Sequence, residues 1–109
     1  MAFKCNEPAV PTLQQEDKTV RITRWDFAPG AATGWHTHSW PYFVVMLTDS
    51  VMKIEAPDGA VSEVQRKAGE CYQRPAGIEH DVMNGSEHPM AFIEIEIEIK
   101  RPEELVRAK

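Results

Sequence analysis

Three histidines carry the clearest chemical signal in this chain. His36 and His38 stand one residue apart in "GWHTHSWPYF" (34–43), and His80 closes "RPAGIEH" (74–80). Imidazole suits iron, zinc, copper or nickel, and three such ligands leave positions free for substrate or water. On a strand, residues of equal parity share a face, so His36 and His38 would present both rings to one ion. His80 lies just past a turn, where a neighbouring strand could return it to the same cavity. The same H-x-H also fits two ordinary surface histidines on a strand, because short motifs match readily by accident.

Strands punctuated by turns must position these side chains. "TVRITRWDF" (19–27) is β-branched and aromatic. Its apolar residues move from even positions (Val20, Ile22) to odd ones (Trp25, Phe27), which predicts a bulge or an edge strand. "YFVVML" (42–47) reads as a buried strand, "VMKIEA" (51–56) as another, and "PDG" (57–59) as a hairpin turn leading into "VSEVQR" (61–66). "ECYQR" (70–74) precedes the turn "PAG" (75–77). "AFIEIEIEIK" (91–100) alternates most strictly: Ile93, Ile95, Ile97 and Ile99 point one way and Glu94, Glu96 and Glu98 the other. The glutamates are expected to form a solvent-facing row. Only "RPEELVRAK" (101–109) has helical character. The pattern predicts one all-β domain, a sandwich or barrel of short antiparallel strands. Residues 1–17 read as an N-terminal arm, 18–100 as the barrel and 101–109 as a C-terminal tail or short helix.

Composition narrows the function. The 109 residues suffice for a single core. A net charge of −5 argues against nucleic acid or an anionic membrane surface as partner. No apolar run approaches the roughly 18 residues of a membrane helix. "MAFKCNEPAVP" has no apolar signal region, so export is not expected. Cys5 and Cys71 are too few for a disulfide scaffold, and free thiols fit a reducing cytoplasm.

The spacing around the histidines is similar to that of a known family. Gly30, five residues, then His36-Thr37-His38 matches the first half of the cupin motif G-x5-H-x-H-x(3,4)-E-x6-G. Gly69, Pro75, Gly77, His80 and Asn84 match the second motif, G-x5-P-x-G-x2-H-x3-N, at every specified position. The chain therefore resembles a minimal single-domain cupin over residues 30–84. That resemblance implies a jelly-roll β-barrel in which His36, His38 and His80 bind one divalent transition metal. Fe(II) is the expected ion, with Zn, Ni or Cu as alternatives. The wording of residues 22–50 looks most like the small cupins found with β-alanine degradation enzymes.

The first motif departs from the family pattern. Tyr42 and Phe43 occupy the two positions open to the usual glutamate, and Asp49 stands where the closing glycine would be. A phenol with a pKa of about 10 is a poor ligand at neutral pH, so Tyr42 is expected to line the pocket or hydrogen-bond a ligand. Phe43 reads as core packing. Three neutral imidazoles would leave the ion its full charge and favour an anionic or enolisable ligand. Arg74 could steer such an anion at the pocket mouth, although a strand-end arginine is commonly a solvated charge. Trp35 and Trp40 are expected to wall the cavity, with Val44 and Met46 extending its apolar side. Cys71 reads as a small core residue, and His88 in "NGSEHP" as a loop histidine outside the site.

Two functions fit these residues. Three-histidine iron cupins include β-diketone-cleaving dioxygenases, and the resemblance implies such a metal-dependent dioxygenase on a small β-dicarbonyl or related acid. Tyr42 and Arg74 are its candidate catalytic residues. The alternative is a metal-dependent module that binds or senses a small metabolite. Spare titratable groups in the pocket would favour the enzyme. Small cupins commonly pair, and residues 91–100 read as a long open edge strand, so a homodimer to which residues 1–27 contribute is expected.

Overall fold

The structure, a computed structural model, describes residues 7–98. Nine strands run in chain order through them: β1 (Val10–Glu16), β2 (Val20–Phe27), β3 (His36–Thr37), β4 (Tyr42–Met46), β5 (Ser50–Glu55), β6 (Val61–Arg66), β7 (Cys71–Arg74), β8 (Glu79–Asn84) and β9 (Met90–Ile97). They form two antiparallel sheets, ordered β1-β2-β9-β4-β7 and β3-β8-β5-β6. The all-β expectation is met. No helix among the described residues is long and apolar enough to cross a membrane. The segment 101–109, read as helical, lies outside the described residues, as does Cys5.

The β5–β6 hairpin turns at Pro57–Gly59 as its composition predicts. Gly59 sits at φ +86°, in the left-handed region that residues with a Cβ rarely enter. Gly77, at φ +90°, makes the turn between β7 and β8. Between the sheets, Phe27, Val44, Met46, Met52, Val82, Met90 and Phe92 build the core. Phe27 and Phe92 meet with ring centroids 5.4 Å apart. Burying one side chain such as Phe27 contributes about 1.5–3 kcal/mol.

The five-stranded sheet reverses two expectations. In β9 the glutamates face the barrel interior: Glu94 is 8% exposed, and the Glu96 carboxyl is largely covered beside Arg21. The isoleucines take the outer face, where Ile95 lies between Ile22 of β2 and Phe43 of β4. Alternation defines two faces of a strand but not which one is inside, and here the inward face of β9 meets a cavity whose walls include Tyr42, Arg74 and Glu94. The same geometry explains the apolar shift in β2. Thr23 and Phe27 are buried inward while Val20 and Ile22 face out, so apolar residues occupy both faces without an irregularity. β2 is no edge strand and pairs with β9 in unbroken register; the bulge lies in β1, between Leu13 and Gln15.

Three further readings change. β9 is flanked by β2 and β4, so it has no open edge. Cys71 is exposed, because its outward position on β7, at the rim of the sheet, has no second layer over it. Phe43 is half-buried on the outer face and takes no part in the core.

Asn84 ties the end of β8 to two loops. Its Nδ2 donates to the carbonyl of His88 at 2.9 Å and reaches those of Phe27 and Ala28 at 3.4 Å, while its Oδ1 accepts from Ser86 N at 2.8 Å. Asn84 is fully buried, so Asn84→Ala would strand several backbone groups away from water. The expected cost is about 2–4 kcal/mol, read as a lower urea midpoint at unchanged slope.

Candidate metal centre

The three histidines meet through one short ladder. β3 pairs antiparallel with β8 and sets His36 directly opposite His80, so both side chains leave the same face. His38, two residues on, shares that face. Its backbone is clamped to the Gly77 turn: His38 N donates to Ile78 O, and Gly77 N donates to His38 O, both at 2.8 Å. Pro75 and Gly77 thus shape the corner that brings His80 back beside His38.

Nε2 of His38 lies 3.0 Å from Nε2 of His36 and 3.2 Å from Nε2 of His80. A cation with metal–nitrogen bonds of about 2.0–2.1 Å sets neighbouring nitrogens roughly 2.9 Å apart at right angles and roughly 3.3 Å apart at tetrahedral angles. Both distances fall in that interval, so the three side chains could hold one ion.

The ring of His36 is oriented from behind. Its Nδ1 lies 2.8 Å from Gly34 O and 3.2 Å from Thr33 Oγ1. A proton on Nδ1 donated to the Gly34 carbonyl leaves the Nε2 lone pair directed at the cluster. Buried Asp81 braces that loop, accepting from Gly34 N at 3.1 Å. Burial, with His36 alongside, pushes the pKa of His38 down to about 4. Burial also pushes His80 down to about 3, aided by His36, His38 and the Arg74 guanidinium. Both rings are therefore neutral at physiological pH, the form that binds metal.

The site opens onto a cavity of about 590 Å³ between the sheets. His36, His80, Tyr42 and Arg74 line it, with Val44, Met52, Ile54 and Phe92 among its apolar walls. The Tyr42 ring stacks on His38 at 3.9 Å between centroids, and Arg74 is its cross-strand neighbour on β7. Burial raises the Tyr42 pKa, so the phenol keeps its proton. Neither predicted tryptophan walls the cavity. Trp35, next to the inward His36, points away from it and is 41% exposed, and Trp40 lies beneath the Arg21 guanidinium. Met46 is buried in the core, and His88 is exposed and bonded locally to Pro89 O.

Residues 23–96 match the pattern of the Cupin domain family. This chain belongs to the cupin family. It is 47% identical over 89 residues to the beta-alanine degradation protein BauB of Pseudomonas aeruginosa, covering 82% of this chain and 93% of that one. It is also similar to the solved cupin domain from Bordetella pertussis, at 41% identity and a TM-score of 0.82, over 86% of this chain and 97% of that one. A cupin 2 conserved barrel domain protein from Salinispora arenicola shares the fold, with a TM-score of 0.66 at 17% identity over 93% of this chain and 85% of that one.

This cupin's interior holds a carboxyl that the spacing did not reveal. Glu94 Oε2 lies 3.9 Å from His38 Nε2, although Glu94 comes from β9 and not from the first motif. Burial lifts its pKa to about 7, with Glu96 adding to the shift. Trp25 and Arg21 oppose it; the indole nitrogen favours the carboxylate without completing a hydrogen bond. The signal available was the strict alternation of β9, assigned to the wrong face.

These contacts separate ligands from neighbours. His36→Ala, His38→Ala and His80→Ala should each lose bound metal, and His88→Ala should keep it. Glu94→Gln is expected to weaken metal binding by about tenfold, as a supporting group does, without abolishing it. Metal analysis after dialysis reads all five variants. If Glu94→Gln lost metal as completely as His38→Ala, the carboxyl would itself be a ligand.

Proposed function

We propose that this cupin is a mononuclear metal-dependent dioxygenase, with Fe(II) held by His36, His38 and His80, acting on a small β-dicarbonyl or related acid. The observation that carries this reading is the convergence of three imidazoles, two of them on the wall of a cavity large enough for a small metabolite. An Fe(II) ion would supply Lewis acidity and the capacity to react with dioxygen. The chain's own residues supply the rest. The protonated Tyr42 hydroxyl donates to a ligand oxygen, and Arg74 draws an anionic ligand toward the histidine end. The apolar wall excludes water from a reactive enolate.

An enzyme is favoured over a sensing module because chemically active groups gather here. Glu94 lines the cavity together with Tyr42 and Arg74. The name of the Pseudomonas relative adds a setting, the degradation of beta-alanine, which carried to this chain points to breakdown of a small acid. Exposed, free Cys71 suits a reducing cytoplasm. Oxygen uptake by the Fe(II) form with acetylacetone and acetoacetate tests the reaction. Tyr42→Phe should keep its metal while turnover falls, and absence of oxygen uptake with every β-dicarbonyl tried would remove the dioxygenase reading.

We also infer a homodimer. Ile22, Phe43, Val45, Ile93, Ile95 and Ile97 form an apolar outer face on the five-stranded sheet. Beside it β1 is an exposed edge strand, with Val10 and Leu13 more than half exposed. Light scattering should give twice the chain mass for the full chain, and a monomer for Ile95→Lys or for a chain lacking residues 1–17. A monomeric full-length protein would rule the pairing out.

A further inference from the structure

Arg66 is the cavity residue that the three-histidine reading leaves without a task. It ends β6 and lines the cavity, with its guanidinium carbon 3.8 Å above the centre of the Tyr72 ring. Its Nε is buried and has no hydrogen-bond partner among the described residues. No carboxylate of those residues forms an ion pair with it. A planar cation held on an aromatic face, with its buried Nε unused, is a costly arrangement unless an acceptor arrives. Arginine's fork matches a carboxylate with two parallel hydrogen bonds.

The register places this cation away from the histidines. Tyr42 faces Arg74, and Val44 faces Tyr72 one two-residue step along β4, about 7 Å further on. Arg66 lies over Tyr72, so Arg74 serves the histidine end and Arg66 the far end. Apolar side chains of Val44, Met52, Val64 and Phe92 line the cavity between and around them. That layout suits a short acid with one carboxylate, an apolar middle and a reacting end. It is a poor fit for phosphate, which would want several donors at one point.

We propose that Arg66, held flat by Tyr72, is a carboxylate-binding subsite that selects acid substrates and points their other end at the histidines. The orientation toward the histidines rests on the dioxygenase reading; the carboxylate site does not. Calorimetric titration of the full chain with glutarate, both metal-loaded and metal-free, tests it. Parent protein should bind glutarate in both forms. Arg66→Gln should weaken that binding by about 10- to 100-fold in both, the loss of a charged hydrogen-bonded pair. Metal content and acetylacetone binding by the loaded protein should stay at parent values. Arg66→Lys should recover only part of the affinity, and Tyr72→Leu should weaken glutarate even where Arg66→Gln proves unstable. Equal glutarate binding by parent and Arg66→Gln would overturn the proposal. So would dimethyl glutarate or inorganic phosphate binding as tightly as glutarate. Glutarate binding through Arg66 in a protein that consumes no oxygen would leave this subsite standing and remove the dioxygenase.

Discussion

A two-residue ladder, His36 against His80, is the constraint on which the site depends. Antiparallel pairing gives the two rings a common face, and same-strand parity adds His38. Paired side chains alone would not converge three lone pairs. The Gly77 turn holds the His38 backbone, and the Gly34 carbonyl takes the His36 Nδ1 side, so ring position and tautomer are set before any ligand arrives. Burial completes the arrangement by keeping His38 and His80 neutral.

The barrel tolerates unusual polarity inside because its interior is a cavity. Glu94, Tyr42, Tyr72, Arg66 and Arg74 line space that a ligand or water can fill, which spares them the full penalty of burial in a packed core. The cost appears in the raised pKa of Glu94 and of Tyr42. Packing is concentrated at the other end, where Phe27, Met46, Met90 and Phe92 close the sheets against each other. Stability and chemistry therefore meet along the same strands: Phe92 belongs to the core and also walls the cavity, and Glu94, two residues on, faces the histidines.

This division bears on the vacancy in the first motif. Tyr42 stands at one of the two positions where the family pattern allows glutamate, and it stacks on His38 as a protonated phenol. The nearby carboxyl comes instead from Glu94 on β9, a neighbour by strand pairing with β4 and distant in sequence. Its oxygen lies 3.9 Å from His38 Nε2, so a carboxyl is present at the site without depending on the usual spacing.

By itself the sequence determined the all-β class, the turns at Pro57–Gly59 and Pro75–Gly77, and the grouping of His36, His38 and His80. The turns and the shared face of His36 and His38 are local, since glycine at positive φ, proline before a corner and side-chain parity along a strand are properties of neighbouring residues. His80, 42 residues from His38, joined them in the sequence only through the resemblance to the cupin motifs. The tertiary structure alone decided which face of a strand is inside. The alternation of Ile93–Ile97 was legible, but its apolar side lies outward and its glutamates turn toward the cavity that the barrel encloses. The same reversal hid Glu94 and made the apolar shift in β2 resemble a bulge. It set Phe43 and Cys71 on the outer face, where apolar type had suggested core. Arg66 and Tyr72 stack as side chains from two different sheets, and that pairing arises only when the sheets close around a common space.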